Sequence, residues 1–314
     1  MNIKEAARKE ELLESGHRLC AGCSESIIVR QVFMALRGPT IVTEATGCLE
    51  VATTIDPYTS WKLPWIHSAF ENAAATATGI DVAFRVFKRK GRSKYEQVDV
   101  LAFGGDGATY DIGFQALSGA IERGDDFLYV LYDNEAYMNT GIQRSGGTPR
   151  GASTTTTPPG KAIPGKPQYK KPIDLIIAAH GDCYVATASP AYWKDLIEKA
   201  RKGIEKDGPG FLHAISPCPR GWRYDMQSTI ELARLAVETC YFPLWEYDGE
   251  YKLTGRSARI ADKPELKKPL EDFIKPQGRF RHLFRPENKE VLDALQDDVD
   301  SYWERLLQLV SCVK

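Results

Sequence analysis

The sequence Gly104-Gly-Asp-Gly107, followed by 25 residues from Ala108 to Tyr132 and then by Asp133-Asn134, decides the fold. An apolar run at Val98–Phe103 precedes it and predicts a strand. Glycines directly after a strand let the backbone approach a phosphate closely, and a helix that follows them offers free N–H groups to it. The 25 residues suit one helix and one further strand, which would return the chain to the same edge of a sheet at Asp133.

Asp106 and Asn134 are therefore predicted to lie at neighbouring strand ends. Carboxylate and amide oxygens are ligands that Mg²⁺ favours beside phosphate groups. On its own the Gly-Gly-Asp-Gly match is weak evidence, because the same residues suit a tight strand-to-helix turn with Asp106 as a solvated helix cap. The spacing to Asn134 favours the magnesium interpretation.

Short β-branched or aromatic runs alternate with helical patterns over most of the chain. This alternation predicts an α/β fold with a mostly parallel sheet covered by helices on both faces. The predicted strands are Thr40–Glu44, Val98–Phe103, Phe127–Tyr132, Tyr184–Ala188 and Gly210–Ile215. The predicted helices are Ser24–Leu36, Ser68–Lys88, Ile112–Arg123, Ile173–His180 and Pro190–Lys206.

The composition along the chain predicts a cofactor-binding domain at residues 1–240 and an extension at residues 241–314. The extension is polar and charged until an amphipathic helix from about Asn288 to Val310, and we interpret it as an arm that packs on the domain or on a partner subunit. Residues 145–171 are rich in Gly, Thr, Pro and Lys, which predicts a long loop. Loops of this length inside a domain are usually functional or form an interaction surface.

The bulk composition excludes several classes of function. The chain has 314 residues and a formal net charge of -1, so it has no electrostatic reason to bind nucleic acid or an anionic membrane. No apolar run approaches the roughly 20 residues of a membrane-spanning helix. Residues 1–14 lack the apolar segment of a secretory signal. We therefore expect a cytoplasmic protein.

The seven cysteines cannot all pair internally, and in a cytoplasmic protein they are better interpreted as ligands or buried thiols. Cys20-Ala-Gly-Cys23 puts two thiols on one loop, while Cys48 and Cys218 are single cysteines at distant positions. A [4Fe–4S] cluster needs thiolates from several directions, which favours it over a zinc site or free thiols, although both of these stay open. The remaining cysteines stand in apolar surroundings and are interpreted as inert core residues: Cys183, Cys240 and Cys312.

These unusual residues follow the predicted strands in a regular way. Cys48 comes after the first strand, Asp106 after the second, Asn134 after the third and Cys218 after the fifth. In an open parallel sheet, ligands bind at the carboxyl edge of the strands, because the loops converge there. Four signals at four strand ends therefore predict one shared site.

The spacing from Gly105-Asp-Gly107 to Asn134 resembles the signature of thiamine-diphosphate enzymes. The resemblance implies a thiamine-diphosphate-binding fold in which Mg²⁺ is held against the diphosphate by Asp106, Asn134 and the backbone carbonyl of Ala136. The segment Asn139-Thr140-Gly141 resembles the family segment beside the thiazolium ring of the cofactor.

A broader resemblance, from about Gly16 to Tyr224, is to the β subunits of pyruvate:ferredoxin oxidoreductases. The stretches that carry it are Gly16-His-Arg-Leu-Cys-Ala-Gly-Cys23, Ala45-Thr-Gly-Cys-Leu-Glu50, Pro57-Tyr-Thr-Ser-Trp61, Trp65-Ile-His-Ser-Ala-Phe-Glu-Asn72 and Tyr132-Asp-Asn-Glu-Ala-Tyr-Met-Asn-Thr-Gly141. They occur in the order that the family shows.

This resemblance implies a set of site residues. The [4Fe–4S] cluster would be held by Cys20, Cys23, Cys48 and Cys218. The residues implied to bind the cofactor are Gly47, Glu50, Phe70, Gly105, Asp106, Gly107, Ala108, Asn134, Ala136, Asn139, Thr140 and Gly141. Asn139, His67 and Arg144 are candidates for catalytic roles, although His67 suits a structural role at a helix entry equally well.

The implied function is thiamine-dependent oxidative decarboxylation of a 2-oxoacid of the pyruvate type, with electrons passing singly through the cluster towards ferredoxin. The chain carries the motifs of only one thiamine domain. We therefore expect it to need an α-type subunit with a pyrimidine-binding domain and a γ/δ-type subunit with ferredoxin-like clusters. Coenzyme A is the expected acyl acceptor in such complexes.

The substrate and the class of function both leave room for a different interpretation. Arg150 stands where many pyruvate-type relatives have an aromatic residue, and an added guanidinium would suit a more anionic substrate such as oxalate, oxidised without coenzyme A. A non-catalytic structural or electron-relay subunit and a zinc-bearing thiamine decarboxylase also stay open. A nicotinamide-dependent dehydrogenase is disfavoured, since no G-x-G-x-x-G follows a strand.

Overall fold

The computed structural model describes residues 3–160 and 162–311. Its strands are β1 (Thr40–Glu44), β2 (Trp65–His67), β3 (Asp99–Gly104), β4 (Leu128–Asp133), β5 (Tyr184–Ala188), β6 (Gly210–Ile215), β7 (Trp245–Tyr247) and β8 (Tyr251–Leu253). Its α-helices are α1 (Ile3–Ala6), α2 (Glu25–Phe33), α3 (Cys48–Thr53), α4 (Ala73–Arg89), α5 (Asp106–Tyr110), α6 (Phe114–Glu122), α7 (Ile173–Ala178), α8 (Trp193–Glu205), α9 (Pro219–Trp222), α10 (Thr229–Glu238), α11 (Gly255–Asp262), α12 (Leu270–Ile274) and α13 (Lys289–Ser311). Short 3-10 helices lie at Pro190–Tyr192, Met226–Ser228, Pro264–Leu266, Gly278–Phe284 and Pro286–Asn288.

The strands form one sheet in the order β2-β1-β3-β4-β6-β5-β7-β8. Every pairing from β2 to β5 is parallel, and β7 and β8 continue the sheet in antiparallel orientation. The carboxyl ends of β1, β3, β4 and β6 therefore lie side by side along one edge. This arrangement confirms the predicted mostly parallel sheet.

Side chains on the strands alternate between two apolar layers, as the pleat requires. On β3, Leu101 and Phe103 face the layer under α2 and α8, while Val100 and Ala102 face the layer under α4, α6 and α7. Burying one such Leu or Phe contributes roughly 1.5–3 kcal/mol relative to leaving it exposed. Helices on both faces confirm the predicted α/β class.

The strands with long apolar runs were predicted within one residue of their observed bounds. The sequence analysis missed β2, β7 and β8, because a strand of three residues is too short to show an alternating pattern. The predicted helix at Ser68–Lys88 starts only at Ala73 in the structure. Its first residues form a turn closed by the side chain of Asn72, which accepts hydrogen bonds from the Ser68 hydroxyl at 2.8 Å and from the Ala69 N–H at 2.9 Å.

Residues after Cys240 begin by adding β7 and β8 to the sheet. The long helix α13, predicted from about Asn288 to Val310, then places Leu306 in the core layer under α4 and α6. The extension is thus joined to the sheet, and a functional division at residue 240 stays a prediction. Cys183 and Cys240 are buried as predicted, whereas Cys312 lies outside the described residues.

The described part of the loop at residues 145–171 contains no helix or strand, as predicted. Lys166 of this loop is only 1% exposed. Its ammonium group donates to three backbone carbonyls of the same loop, those of Thr148, of Gly146 at 3.5 Å and of Tyr169 at 3.4 Å. Burial is the main cause that lowers the Lys166 pKa to about 8. None of the helices in residues 3–160 and 162–311 is long and apolar enough to cross a membrane.

Candidate cofactor and metal site

A groove lies at the carboxyl edge of the sheet, where the loops after β1, β3 and β4 meet. It holds about 400 Å³ of empty space, part of it open to solvent. The predicted site residues that line it are Gly47, Cys48, Phe70, Gly105, Asp106, Gly107, Asn134, Ala136, Asn139 and Thr140. Four separate stretches of sequence are thus brought to one place, since Phe70 adds the segment after β2.

Asp106 is the first residue of α5 and is 2% exposed. Its Oδ1 accepts a hydrogen bond from the Glu135 backbone N–H at 3.1 Å, and its Oδ2 accepts one from the Ser145 hydroxyl at 2.5 Å. Burial, and next the negative charge of Asp133, raise the pKa of Asp106 well above its usual value. A carboxylate in this position is stabilised by a cation.

Asn134 follows β4 directly and is 3% exposed. Its side-chain N–H donates to Oε1 of Glu25 at 3.1 Å, while its Oδ1 is buried without any hydrogen-bond partner. An unpaired buried acceptor costs about 1–3 kcal/mol, so the arrangement is unfavourable unless a ligand supplies a partner. Asp106 and Asn134 therefore fit a bound Mg²⁺, which takes oxygen ligands of these two kinds.

The residue after Asn134 keeps this loop in place. Glu135 has a φ of 67°, a left-handed conformation that is uncommon for a residue with a side chain. Its carboxylate, fully buried, accepts from Lys170 at 2.7 Å, from Tyr241 at 2.7 Å and from Arg279 at 2.6 Å. Groups from the long loop and from the extension thus hold the backbone next to Asn134.

Asp133, one residue before Asn134, is equally well paired. It accepts from Lys170 at 2.6 Å and from Tyr110 at 2.8 Å, and it lies 2.8 Å from His213 Nε2. Burial opposes ionisation of Asp133, but the charge of Lys170 and the hydrogen bond from His213 outweigh it, and the net pKa is lowered. The pair of carboxylates and Lys170 therefore forms a charged scaffold under the groove.

Two glycines of the Gly-Gly-Asp-Gly sequence are required by the space around them. A Cβ at Gly107 would collide with the rings of Phe70 and Tyr137, and one at Gly105 would lie 3.0 Å from the ring of Tyr132. The backbone at these positions is therefore packed against aromatic rings, and the two glycines themselves add no side chain to the groove. Such bare backbone suits the close approach of a diphosphate.

The four predicted cluster cysteines come from three segments. Cys20 and Cys23 lie on a tight turn with a 3.0 Å backbone hydrogen bond, Cys48 begins α3, and Cys218 caps α9 by accepting from the Gly221 N–H at 3.3 Å. Burial raises the pKa of Cys23, and the neighbouring Cys218 and Cys48 add to the effect. Burial likewise raises the pKa of Cys218 to about 11, with a contribution from Cys20.

These mutual effects make the four thiols electrostatic neighbours. Within residues 3–160 and 162–311, no three His, Cys, Asp or Glu side chains are grouped closely enough to share a single metal ion. A four-iron cluster takes its thiolates at four separate corners, so it accepts a wider spacing than a single ion does. The soft donor set and its origin in three segments fit such a cluster.

Five of the residues predicted to bind the cofactor or to act in catalysis lie outside the lining of the groove. Ala108 is buried and its carbonyl accepts from the Tyr129 hydroxyl at 3.2 Å, while Gly141 and Arg144 are exposed on the following loop. Glu50 lies on α3, and His67 contacts the backbone carbonyl of Glu44 at 3.0 Å and the Thr46 hydroxyl at 3.4 Å. Thr46 itself lines the groove, so His67 reaches the site through a neighbour. The roles of these five residues stay predictions.

Arg150, the residue behind the oxalate hypothesis, also lies elsewhere. Its guanidinium pairs with both carboxylate oxygens of Asp298 on α13, at 2.6 and 3.2 Å, and donates to the Pro167 carbonyl at 2.6 Å. It lines a second cavity, together with His213 and Tyr302. This position gives Arg150 a structural partner and no contact with the groove.

Sequence reasoning missed several residues that the structure places around Asp106 and Asn134. Most of their signals were weak, because they reach the site from a distant part of the chain or from within a generic loop. Three of them had a usable hint: Tyr132 comes two residues before Asn134, and Glu25 and Trp222 closely follow predicted cluster cysteines. The missed residues are Glu25, Tyr132, Ser145, Lys170, Trp222 and Arg279.

The comparison with known families agrees with this geometry. Residues 45–214, more than half of the chain, match the family described as thiamine pyrophosphate enzyme, C-terminal TPP binding domain. The match begins directly after β1 and includes the residues that line the groove. The fold and site therefore define a thiamine-diphosphate-binding protein class.

Individual relatives narrow the family further. The chain is 51% identical to pyruvate synthase subunit PorB of Thermotoga maritima, over 100% of this chain and 98% of that protein. It is 43% identical to ketoisovalerate oxidoreductase subunit VorB of Pyrococcus abyssi, over 96% of this chain and 94% of that protein. The chain belongs to this family of 2-oxoacid oxidoreductase subunits, which confirms the resemblance found in the sequence.

A solved structure shares the fold. The 2-oxoglutarate:ferredoxin oxidoreductase from Magnetococcus marinus, determined with 2-oxoglutarate, coenzyme A and succinyl-CoA bound, matches with a TM-score of 0.55. The match has 24% sequence identity and covers 71% of this chain and 78% of that chain. It supports the arrangement of the sheet and its helices.

Proposed function

We propose that this chain is the subunit of a 2-oxoacid:ferredoxin oxidoreductase that binds thiamine diphosphate, Mg²⁺ and one [4Fe–4S] cluster. The reaction is oxidative decarboxylation of a 2-oxoacid of the pyruvate type. The observation that carries the proposal is the buried, unpartnered Oδ1 of Asn134, which shares a groove with the buried carboxylate of Asp106. Family membership supports the same chemistry.

The residues of the groove have distinct tasks in this proposal. Asp106, Asn134 and the carbonyl of Ala136 hold Mg²⁺, and the bare backbone of Gly105 and Gly107 receives the diphosphate. Thiamine diphosphate supplies an electron sink for the decarboxylation, and the cluster accepts electrons one at a time.

Asn139 lines the groove together with Cys48, a predicted cluster cysteine. We assign it the role of orienting the reacting end of the substrate near the cluster side of the groove. His67 and Arg144 remain candidates for proton handling and for substrate contact at the groove entrance.

The chain needs partners to act. We propose an α-type subunit that supplies the pyrimidine-binding domain, a γ/δ-type subunit with ferredoxin-like clusters, ferredoxin as electron acceptor and coenzyme A as acyl acceptor. The name of the relative from Thermotoga maritima, a subunit of pyruvate synthase, supports a multi-subunit assembly. We expect this assembly in the cytoplasm.

Pyruvate is the favoured substrate, and branched 2-oxoacids come second because one relative is a ketoisovalerate oxidoreductase subunit. The oxalate hypothesis rested on Arg150. Since Arg150 is paired with Asp298, no contact in the groove favours oxalate over pyruvate.

The test is anaerobic purification of the native assembly, followed by analysis of iron, sulfide, magnesium and thiamine diphosphate. We expect a four-iron cluster and stoichiometric cofactor, together with reduction of ferredoxin by pyruvate. Zinc in place of iron would refute the cluster, and a cluster without thiamine diphosphate would support an electron-relay subunit instead. Activity of the isolated chain without partners would refute the multi-subunit proposal.

A matched pair of variants tests the magnesium ligands. Asn134→Ala should weaken binding of thiamine diphosphate with Mg²⁺ by more than roughly 100-fold, because even groups that only support metal ligands cost 10–100-fold when removed. Asn288→Ala removes an amide that donates to the His282 carbonyl at 2.7 Å on the extension and should leave the affinity unchanged. Equal affinities in both variants would refute the assignment of Asn134.

A further inference from the structure

Asn134 is held from two directions by residues that closely follow predicted cluster cysteines. Its side chain is bound by Glu25, two residues after Cys23, and its backbone carbonyl is bound by Trp222, four residues after Cys218. The proposed magnesium ligand therefore depends on both cysteine segments for its position.

The contact with Glu25 sets the orientation of the Asn134 amide. Glu25 is 2% exposed, and its Oε1 accepts from the Asn134 side-chain N–H at 3.1 Å. Because the amide nitrogen donates and the amide oxygen accepts, this hydrogen bond fixes which of the two atoms faces Glu25 and leaves Oδ1 without a protein partner. Displacement of the Cys23 segment would release the amide to rotate.

The contact with Trp222 fixes the backbone of Asn134. Trp222 is fully buried, and its indole N–H donates to the Asn134 carbonyl at 2.8 Å. Its own backbone N–H donates to the Cys218 carbonyl at 2.9 Å, so one helical turn links the thiol to the indole. The guanidinium of Arg279 lies 4.0 Å above the indole ring and also pairs with Glu135 at 2.6 Å.

The two cysteine segments are also bound to each other. The hydroxyl of Ser24, directly after Cys23, donates to the Pro217 carbonyl at 2.9 Å and lies 2.9 Å from the Ser216 hydroxyl. The Ser216 N–H in turn donates to the Asp133 carbonyl at 2.8 Å, at the end of β4. These contacts form a closed ring of buried hydrogen bonds around Asn134.

We propose that occupancy of the cluster site and affinity for thiamine diphosphate with Mg²⁺ are thermodynamically coupled through Asn134. A cluster bound to Cys23 and Cys218 fixes both segments. Less conformational entropy is therefore lost when Asn134 binds the metal. Linkage makes the effect reciprocal, so the bound cofactor stabilises the cluster equally. The inference rests on the proposed function, because it requires both groups to bind.

The test uses the native assembly, with its cluster intact or removed by an iron chelator under anaerobic conditions. Binding of thiamine diphosphate with magnesium chloride is measured by titration calorimetry in both forms. We expect removal of the cluster to weaken binding by on the order of tenfold, which is typical of coupling between sites.

Two variants interrupt the ring of hydrogen bonds. Trp222→Phe removes the indole donor, and Glu25→Met removes the acceptor. In each we expect the effect of the cluster on affinity to fall to within about twofold, since the segments no longer hold Asn134. Glu25→Gln keeps an acceptor oxygen and should retain the coupling.

Trp245→Phe is the matched control for the tryptophan. Trp245 is fully buried like Trp222, but its N–H donates to the Tyr302 hydroxyl at 3.3 Å, away from the groove. The Trp245→Phe variant should keep the full coupling of on the order of tenfold.

The outcomes separate the two proposals. Absence of either bound group would refute the proposed function and this inference together. If both groups bind but the affinities of the two forms agree within twofold, the inference alone is refuted. If the coupling persists in both Trp222→Phe and Glu25→Met, it does not act through Asn134. That result would also refute the inference.

Discussion

The two sides of the chain at the end of β4 differ in how their polar groups are satisfied. Asp133 and Glu135 point to one side, where Lys170, His213, Tyr110, Tyr241 and Arg279 pair with them. Tyr132 and Asn134 line the groove on the other side, and the Tyr132 hydroxyl and the Asn134 Oδ1 are buried without partners. Residues at the end of β4 therefore alternate between two sides. We call the side with fully paired polar groups the saturated side, and the other side is the groove, where buried polar atoms lack partners.

The difference distinguishes a structural polar cluster from a ligand site. A buried network in which every polar group is paired holds the backbone, including the left-handed residue Glu135. Its polar groups have no free hydrogen-bonding capacity for a ligand. In the groove, the buried atoms without partners mark positions at which a ligand can supply the missing contact. Substitutions on the saturated side and in the groove should therefore have different consequences.

The largest effect is expected from Arg279→Met on the saturated side. Arg279 is 2% exposed, and its loss would leave the Glu135 carboxylate with one fewer buried cation. Breaking a buried ion pair in this way costs about 3–5 kcal/mol of unfolding free energy. Chemical denaturation of the purified chain measures the loss.

Lys289→Met is the control, because Lys289 and Asp293 form an ion pair with side chains 72% and 57% exposed. Such surface pairs contribute little, so stability should not change measurably. Equal stability of the two variants would show that the network under the groove is not a scaffold.

An intermediate effect is expected from Gly107→Ala on the groove side. The new methyl group would collide with the rings of Phe70 and Tyr137, and overpacking of this kind costs about 1–3 kcal/mol. Gly79→Ala is the control, because Gly79 lies within α4 with no atom within 4 Å of an added Cβ. That change should stabilise the helix by about 0.5–1 kcal/mol, and the same sign in both variants would contradict the packing argument.

The smallest effect is a pH dependence from His213. Burial disfavours the charged ring, but hydrogen bonds to Asp133 and Asp174 outweigh it and raise the His213 pKa above its usual value. Because the folded pKa is raised, this stabilisation is fully present below about pH 6.5 and is lost as the pH rises through the folded pKa. Unfolding free energies at about pH 6 and about pH 9 should therefore show a steeper decline for the wild type than for His213→Gln. An equal decline of the unfolding free energy in both proteins would show that the charge of His213 does not stabilise the scaffold.

The parts of the fold that sequence predicted are those encoded locally. β3 and β4 are continuous apolar runs, and their buried residues alternate between two core layers as such runs require. The groove was predictable because Asp106 and Asn134 belong to a short motif with fixed spacing. The C-terminal strands were not, since β7 and β8 have three residues each and depend on pairing, β7 with β5 and β8 with β7.

The supporting residues could not be predicted, because their partners are far away along the chain. Glu25 is 109 residues from Asn134, Trp222 is 88 residues from it, and Arg279 is 144 residues from Glu135. No local pattern distinguishes such a residue from any other buried polar group. Arg150 shows the converse limit, since its place in a loop near the motif suggested a substrate contact as one of two interpretations and only the structure shows its pairing with Asp298.

Both outer edges of the sheet are formed by strands of only three residues, β2 and β8. An outer strand presents unpaired N–H and carbonyl groups that can recruit another polypeptide, and a short one offers few of them. β8 also carries the charged Lys252 at its centre, which discourages lateral stacking. The short edge strands therefore disfavour extension of the sheet by a strand of another chain. Contacts with other chains are expected through side chains instead.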